Sequence, residues 1–133
     1  MMSERTRAED IASDLLMALL AVNSWTLEKV GGLYESIHAN GLFDVSLLAA
    51  QDIEQIQERL AAAGYNRGPV LGAMMALRMH HVGLALAEGG AQLLARLESK
   101  GDTTGAREYL LGLKGVGPAV VENYLLLRSS ARS

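Results

Sequence analysis

With 133 residues, half of them hydrophobic and a fifth charged, the chain is the size of one domain with enough apolar mass for a core. It contains no cysteine, which excludes a disulfide scaffold, a thiolate zinc site and a cysteine-bound iron–sulfur cluster. The net charge of −3 argues against a protein that simply coats nucleic acid, but the charge is polarised: residues 1–60 carry −6, residues 61–95 carry +1 and residues 96–133 carry +2. Ala, Leu, Met and Val supply most of the apolar mass, and these side chains lose little rotamer freedom in a helix. The N-terminus has charges of both signs and no signal-peptide core, and no stretch approaches the roughly 20 apolar residues of a bilayer span. A soluble, cytoplasmic, all-α protein is expected.

In chain order, Thr6 and Glu9 have capping-box spacing ahead of Ile11, Leu15, Leu16, Leu19 and Leu20, which predicts a first helix ending near Asn23-Ser24. Ser24 or Thr26 caps a second helix carrying Leu27, Val30, Leu33, Tyr34 and Ile37, stopped by Asn40-Gly41. Asp44 caps a short helix over 46–50, and Asp52 with Gln55 caps the next, whose Ile53, Ile56, Leu60 and Ala63 share a face up to Gly64. From Pro69 to Leu86 the chain is apolar nearly all round, the pattern of a domain's central helix. Gly89-Gly90 breaks it, and helices follow over 91–99, 103–111 and from Pro118 to about Arg128, with a frayed tail from Ser129. No strand pattern or internal repeat appears. The expected fold is one domain over 1–133, an orthogonal helical bundle with a C-terminal helix-hairpin-helix at about 103–128.

The most informative segment is Leu110-Leu111-Gly112-Leu113-Lys114-Gly115-Val116-Gly117-Pro118-Ala119-Val120-Val121. Gly115 and Gly117 allow backbone angles closed to other residues and let the chain approach a ligand without a Cβ in the way. Val116 between them is expected to turn inward and pin the hairpin to the core. Free N–H groups beside a helix N-terminus suit one anionic oxygen, and a phosphodiester is the obvious guest. Such a contact positions a backbone and reads no base sequence. The bland reading is a tight corner between two helices.

Leu113–Val121 resembles the hairpin of the endonuclease III superfamily of base-excision DNA glycosylases. The resemblance continues upstream. Leu15–Leu20, then Asn23-Ser24-Trp25 and Glu28-Lys29-Val30, is similar to that family's first barrel helix and DNA-facing loop. Gly64-Tyr65-Asn66-Arg67 is similar to the turn that opens its next long helix. Arg107-Glu108-Tyr109-Leu110-Leu111 precedes the hairpin much as in the 3-methyladenine glycosylase III branch. The four blocks fall in order over about residues 10–128. The resemblance implies a six-helix-barrel-like domain that binds duplex DNA, damaged or distorted, in base excision repair. It assigns the DNA backbone to Lys114, Gly115, Val116, Gly117 and Ala119. It assigns further DNA contacts to Asn23, Ser24, Trp25, Asn66 and Arg67, with Arg107 another phosphate candidate.

The chain also departs from that family. The lyase lysine falls at Ala119, so the Schiff-base nucleophile is missing and no lyase activity is expected. The aspartate used by monofunctional members falls beyond Ser133, and the iron–sulfur cluster has no ligands here. The family's loop glutamine falls at Val22. Glu122 is a weak candidate general base, since a glutamate near a helix start is common for dipole reasons. His80 and His81 are adjacent and diverge by about 100° on a helix, so they do not chelate one metal together. His38 reads as a surface or C-terminal capping residue, and Trp25 as either core or a base-stacking residue. No cofactor or metal is expected beyond a monovalent cation at the hairpin carbonyls. Three functions stay open: a non-catalytic DNA-binding domain, a minimal monofunctional glycosylase with a partner-supplied base, and a protein-interaction module. The apolar crowding of Met74, Met75, Met79 and Val82 predicts a homodimer or a second protein completing the cleft.

Overall fold

The computed structural model describes residues 4–22 and 25–132. Within them the chain is helical and no strand forms. The elements are α1 (Glu4–Leu20), α2 (Leu27–Gly31), α3 (Tyr34–Ala39), α4 (Val45–Ala50), α5 (Ile53–Ala62), α6 (Gly68–Ala85), a kinked connection (Leu86–Gly90), α7 (Ala91–Ser99), α8 (Thr103–Leu111) and α9 (Pro118–Arg132).

The local signals explain most boundaries. Asp44 accepts from the N–H groups of Ser46 and Leu47 at the start of α4. Asp52 and Gln55 form a reciprocal capping box on α5, each side chain bonded to the other's backbone N–H at 2.8 and 3.1 Å. Asp102 caps α8 through the Gly105 N–H at 2.8 Å. Gly41 and Gly64 follow α3 and α5 with φ of 76° and 94°, the left-handed conformation that ends a helix without a Cβ penalty.

Three boundaries differ from the sequence expectation. The first helix is already formed at Glu4, so Thr6 lies inside its opening turns rather than ahead of them. The single second helix is two, because the chain tightens at Gly31-Gly32: Gly32 donates to the Glu28 carbonyl and Leu33 to that of Val30. Tyr34 is consequently exposed instead of sharing a buried stripe with Val30 and Ile37. The break expected at Gly89-Gly90 is present: Gly89, at φ 117° and ψ 0°, leaves the helical region and kinks the chain ahead of α7. The last helix runs past Arg128 to Arg132 instead of fraying from Ser129.

The central helix is α1, not α6. Ile11, Leu15, Leu16, Ala18, Leu19 and Leu20 have no solvent exposure, and α1 packs against α7 and α9 while also touching α2 and α6. Helix α6 lies against α4 and α5 and buries Gly72, Met75, Ala76, Met79, Val82 and Gly83. Its other face is open, with Val70, Leu71, Met74, Leu77 and Leu84 exposed. Of the four side chains expected to crowd there, Met75, Met79 and Val82 turn inward and only Met74 faces out.

The stretch Gly68–Ser99, 32 residues counted across the Gly89 kink, is long and apolar enough to cross a membrane by length and composition alone. That corrects the expectation that no stretch approaches such a span. Close packing of α6 on two neighbours accounts for the same composition, since a core-facing helix also needs few charges.

One buried ionic cluster fastens the last helix. Arg128, 6% exposed, forms a bidentate pair with Glu98 of α7 at 2.8 and 2.9 Å and reaches Asp14 of α1 at 2.7 Å. Burial pushes the Asp14 carboxyl above its ordinary range despite the opposing pull of the guanidinium. The two carboxylates hold the Arg128 guanidinium firmly charged.

Candidate nucleic-acid interface

The C-terminal end of α1 has carbonyls with no partner inside the helix, as every helix end does. Three side chains distant in sequence reach them. Tyr65 donates its hydroxyl to the Leu20 carbonyl at 2.7 Å, Asn123 of α9 donates to Ala21 at 2.9 Å, and Arg67 donates to Val22 at 3.2 Å. The end of α1, the turn before α6 and the first turns of α9 are thereby tied together. Tyr65 is buried, and Arg67 also reaches its hydroxyl at 3.2 Å with the guanidinium 5.9 Å from the ring centre.

Trp25 packs on this knot. Its ring lies 4.6 Å from that of Tyr65, tilted by 47°, and the Lys29 ammonium sits 4.1 Å over the indole. Trp25 is half-buried against the core, so it serves as packing on one side and remains accessible on the other. Asn66 is exposed, and its side-chain oxygen accepts from the Gly68 N–H at 3.3 Å. Asn23 and Ser24 lie outside the described residues.

The loop between α8 and α9 bears out the expectation of special backbone angles at Gly115 but not at Gly117. Gly115 has φ 86°, in the left-handed region. A Cβ built there would lie 3.0 Å from Cγ of Arg78 on α6, so the loop backbone rests directly on that side chain. Val116 turns inward, 8% exposed, and its N–H closes the turn on the Leu113 carbonyl at 3.2 Å. Gly117 has open space around its Cβ position and no positive φ. The N–H groups of Gly115, Gly117 and Ala119 have no backbone acceptor among the described residues, and Gly115 and Ala119 are exposed. The Gly117 carbonyl is engaged by the Val121 N–H at 3.2 Å and that of Leu113 by Val116, so two hairpin carbonyls already accept protein donors. Lys114 is exposed, with no ion-pair partner among the described residues.

Arg78, which the sequence reading passed over, connects the two halves of this surface. It touches Gly115 and lies near enough to Tyr65 to act electrostatically on its hydroxyl, whose ionisation burial disfavours. Arg78 becomes a functional candidate only through the fold, its one signal in the sequence being an isolated cation on an apolar helix, whereas Lys29 lay within the Glu28-Lys29-Val30 block of the resemblance. Two other candidates are otherwise engaged. Arg107 grips both oxygens of Glu122 at 2.7 Å, so neither side chain is free, and that pair is solvent-exposed on both sides. His80 bonds the Leu48 carbonyl at 2.9 Å, and no group of three metal-ligating side chains occurs among the described residues. His38 is exposed in the last turn of α3, 6.2 Å from the Phe43 ring.

Comparison with protein-family models, with curated proteins and with solved structures finds no match to this chain.

Proposed function

We propose that the protein is a DNA-binding domain of the endonuclease III-like glycosylase type, an orthogonal helical bundle that grips the phosphate backbone of duplex DNA through the α8–α9 hairpin and is non-catalytic on its own. The observation that carries this reading is the seat of Gly115 on Arg78. The loop carries the unbonded N–H groups of Gly115, Gly117 and Ala119 and the cation of Lys114, and the Arg78 it rests on also acts electrostatically on Tyr65, whose ring packs on the half-buried Trp25. Backbone donors supply orientation, cations supply counterion release and an aromatic ring supplies a platform for an unstacked base. The non-catalytic part rests on Ala119, which has no nucleophile, and on Glu122, both of whose carboxylate oxygens accept from Arg107.

The test is binding of the whole chain to intact, abasic and lesion-containing duplexes across a salt series, with base release scored in the same tubes. The expected result is salt-dependent binding without base release. Lys114→Ala should shallow the slope of log K against log salt by about one unit. Binding that is absent at low salt, or indifferent to salt, would overturn the reading in favour of a protein-interaction module.

A further inference from the structure

Helix α6 holds a second surface that the DNA reading does not use. Its buried face is Gly72, Met75, Met79, Val82 and Gly83, against α4 and α5. On the opposite face Val70 is 71% exposed, Met74 47%, Leu77 44% and Leu84 38%, with His81 half-buried among them. The steps between Val70, Met74, Leu77, His81 and Leu84 are four, three, four and three residues. That alternation is the 3.5-residue period of a helix–helix seam, whereas a helix simply covered by its own domain shows a broader apolar arc. Leu71 adds a further 46% exposed side chain at the margin. Between Gly68 and Leu86 the only side chain of fixed charge is Arg78, which is turned toward the hairpin.

We propose that this seam is the contact surface for a second copy of the chain, with the two α6 helices packed antiparallel about a two-fold axis. The seam is self-complementary in that sense. Setting Leu77 against His81 of the second copy places Met74 against its Leu84 and Val70 against its Glu88, and the symmetry repeats each layer. The exposed Glu88 of each copy then lies at the N-terminal end of the other α6, near Arg67, where the helix dipole and a guanidinium both favour a carboxylate. A parallel pair would instead stack Glu88 on Glu88 and His81 on His81. The exposed fractions of Val70, Leu71, Met74, Leu77 and Leu84 amount to on the order of 500 Å² of apolar surface. Two copies would bury about 1,000 Å² of it together, which with flanking polar atoms reaches the lower range of specific interfaces. This inference does not depend on the DNA reading.

The test is the mass of the full chain by sedimentation velocity and light scattering through the micromolar range, where an interface of this size assembles. The expected mass is twice 14.2 kDa. Met74→Glu with Leu77→Glu should raise the dimer dissociation constant by at least about 100-fold, because carboxylates would be desolvated in layers that otherwise hold Leu84 and a neutral His81, with helical circular dichroism unchanged. Leu126→Glu on α9, a site 59% exposed, should leave the dimer intact. Should the double variant lose its helical signal, Val70→Lys serves in its place. The chain lacks cysteine, so cross-linking reads the register: mixed Leu77→Cys and His81→Cys chains should form a disulfide dimer under mild oxidation, and Leu77→Cys alone should not. A monomer at every concentration, or a dimer indifferent to the α6 variants, would overturn the proposal. A monomer that floats with phosphatidylcholine vesicles and loses that ability in the same variants would also overturn it, by making a bilayer the occupant.

Discussion

The side-chain amide of Asn123 donates to the backbone carbonyl of Ala21 at 2.9 Å across 102 residues of sequence. It joins the first turns of α9 to the end of α1 and so sets the hairpin and the Trp25 loop in one frame. Asn123→Ala removes the donor and leaves a half-buried carbonyl short of a partner, at a cost of about 1–2 kcal/mol. Urea unfolding should show that loss. Duplex binding measured at temperatures where the variant is fully folded should fall as well, because the two halves of the surface are no longer held together. Unchanged affinity with reduced stability would confine Asn123 to a structural role.

Gly115 and Gly117 separate fold from ligand. Gly115→Ala meets both a φ of 86° and a Cβ about to touch Arg78, so it should destabilise the domain by about 1–2 kcal/mol. Gly117→Val has room for its side chain within the protein, and its backbone is not in the left-handed region. It should keep the wild-type melting temperature to within a few degrees while weakening duplex binding. A Gly117→Val protein with native affinity would remove the phosphate grip from the hairpin.

Ala119 occupies the position where a lyase nucleophile is expected, and it carries only a methyl group. Borohydride treatment on abasic duplex should therefore trap no covalent complex. An adduct mapped to any residue of α9 would require a different alignment of that helix with the glycosylase pattern.

The Arg128 cluster predicts unequal costs for its two carboxylates. Glu98→Ala takes the bidentate partner from a guanidinium that is 6% exposed, leaving it Asp14 alone, and should cost about 3 kcal/mol. Asp14→Asn should cost less than about 1 kcal/mol at neutral pH, because the ionised Asp14 is itself disfavoured by burial. The pH dependence has a definite sign. With Asp14 raised above its ordinary 3.8, the folded chain holds more protons than the unfolded chain in the window just above that value. Its contribution to stability therefore falls as pH rises through the window. Melting temperatures at pH 4 and pH 7 should show Asp14→Asn gaining on the wild type at the higher pH; a gain at the lower pH instead would reverse this assignment.

What was legible in the sequence is what short-range chemistry decides. Asp44, and Asp52 with Gln55, cap helices because a carboxylate two or three residues ahead of an amide can reach it whatever the rest of the chain does. Gly41, Gly64 and Gly115 adopt positive φ because other residues resist it, and Val116 turns inward because it is the one bulky apolar residue between two glycines. The long-range arrangement was not legible. Two helices, α1 and α6, are both apolar enough to be central, and only the packing of α7 and α9 around α1 made it the core and left one side of α6 exposed. Arg107 and Glu122 looked like separate functional candidates until the α8–α9 turn brought them to 2.7 Å, and Arg78 became a neighbour of Gly115 only through the docking of that loop. The sequence by itself determined the aspartate-capped starts and the glycine stops and bends, because those energies act over three or four residues, while the ends of α1 and α9 and the split at Gly31-Gly32 were not read from it. Which faces meet, and hence which charges are paired and which remain exposed, was decided by tertiary structure, because burial is a property of the whole assembled core.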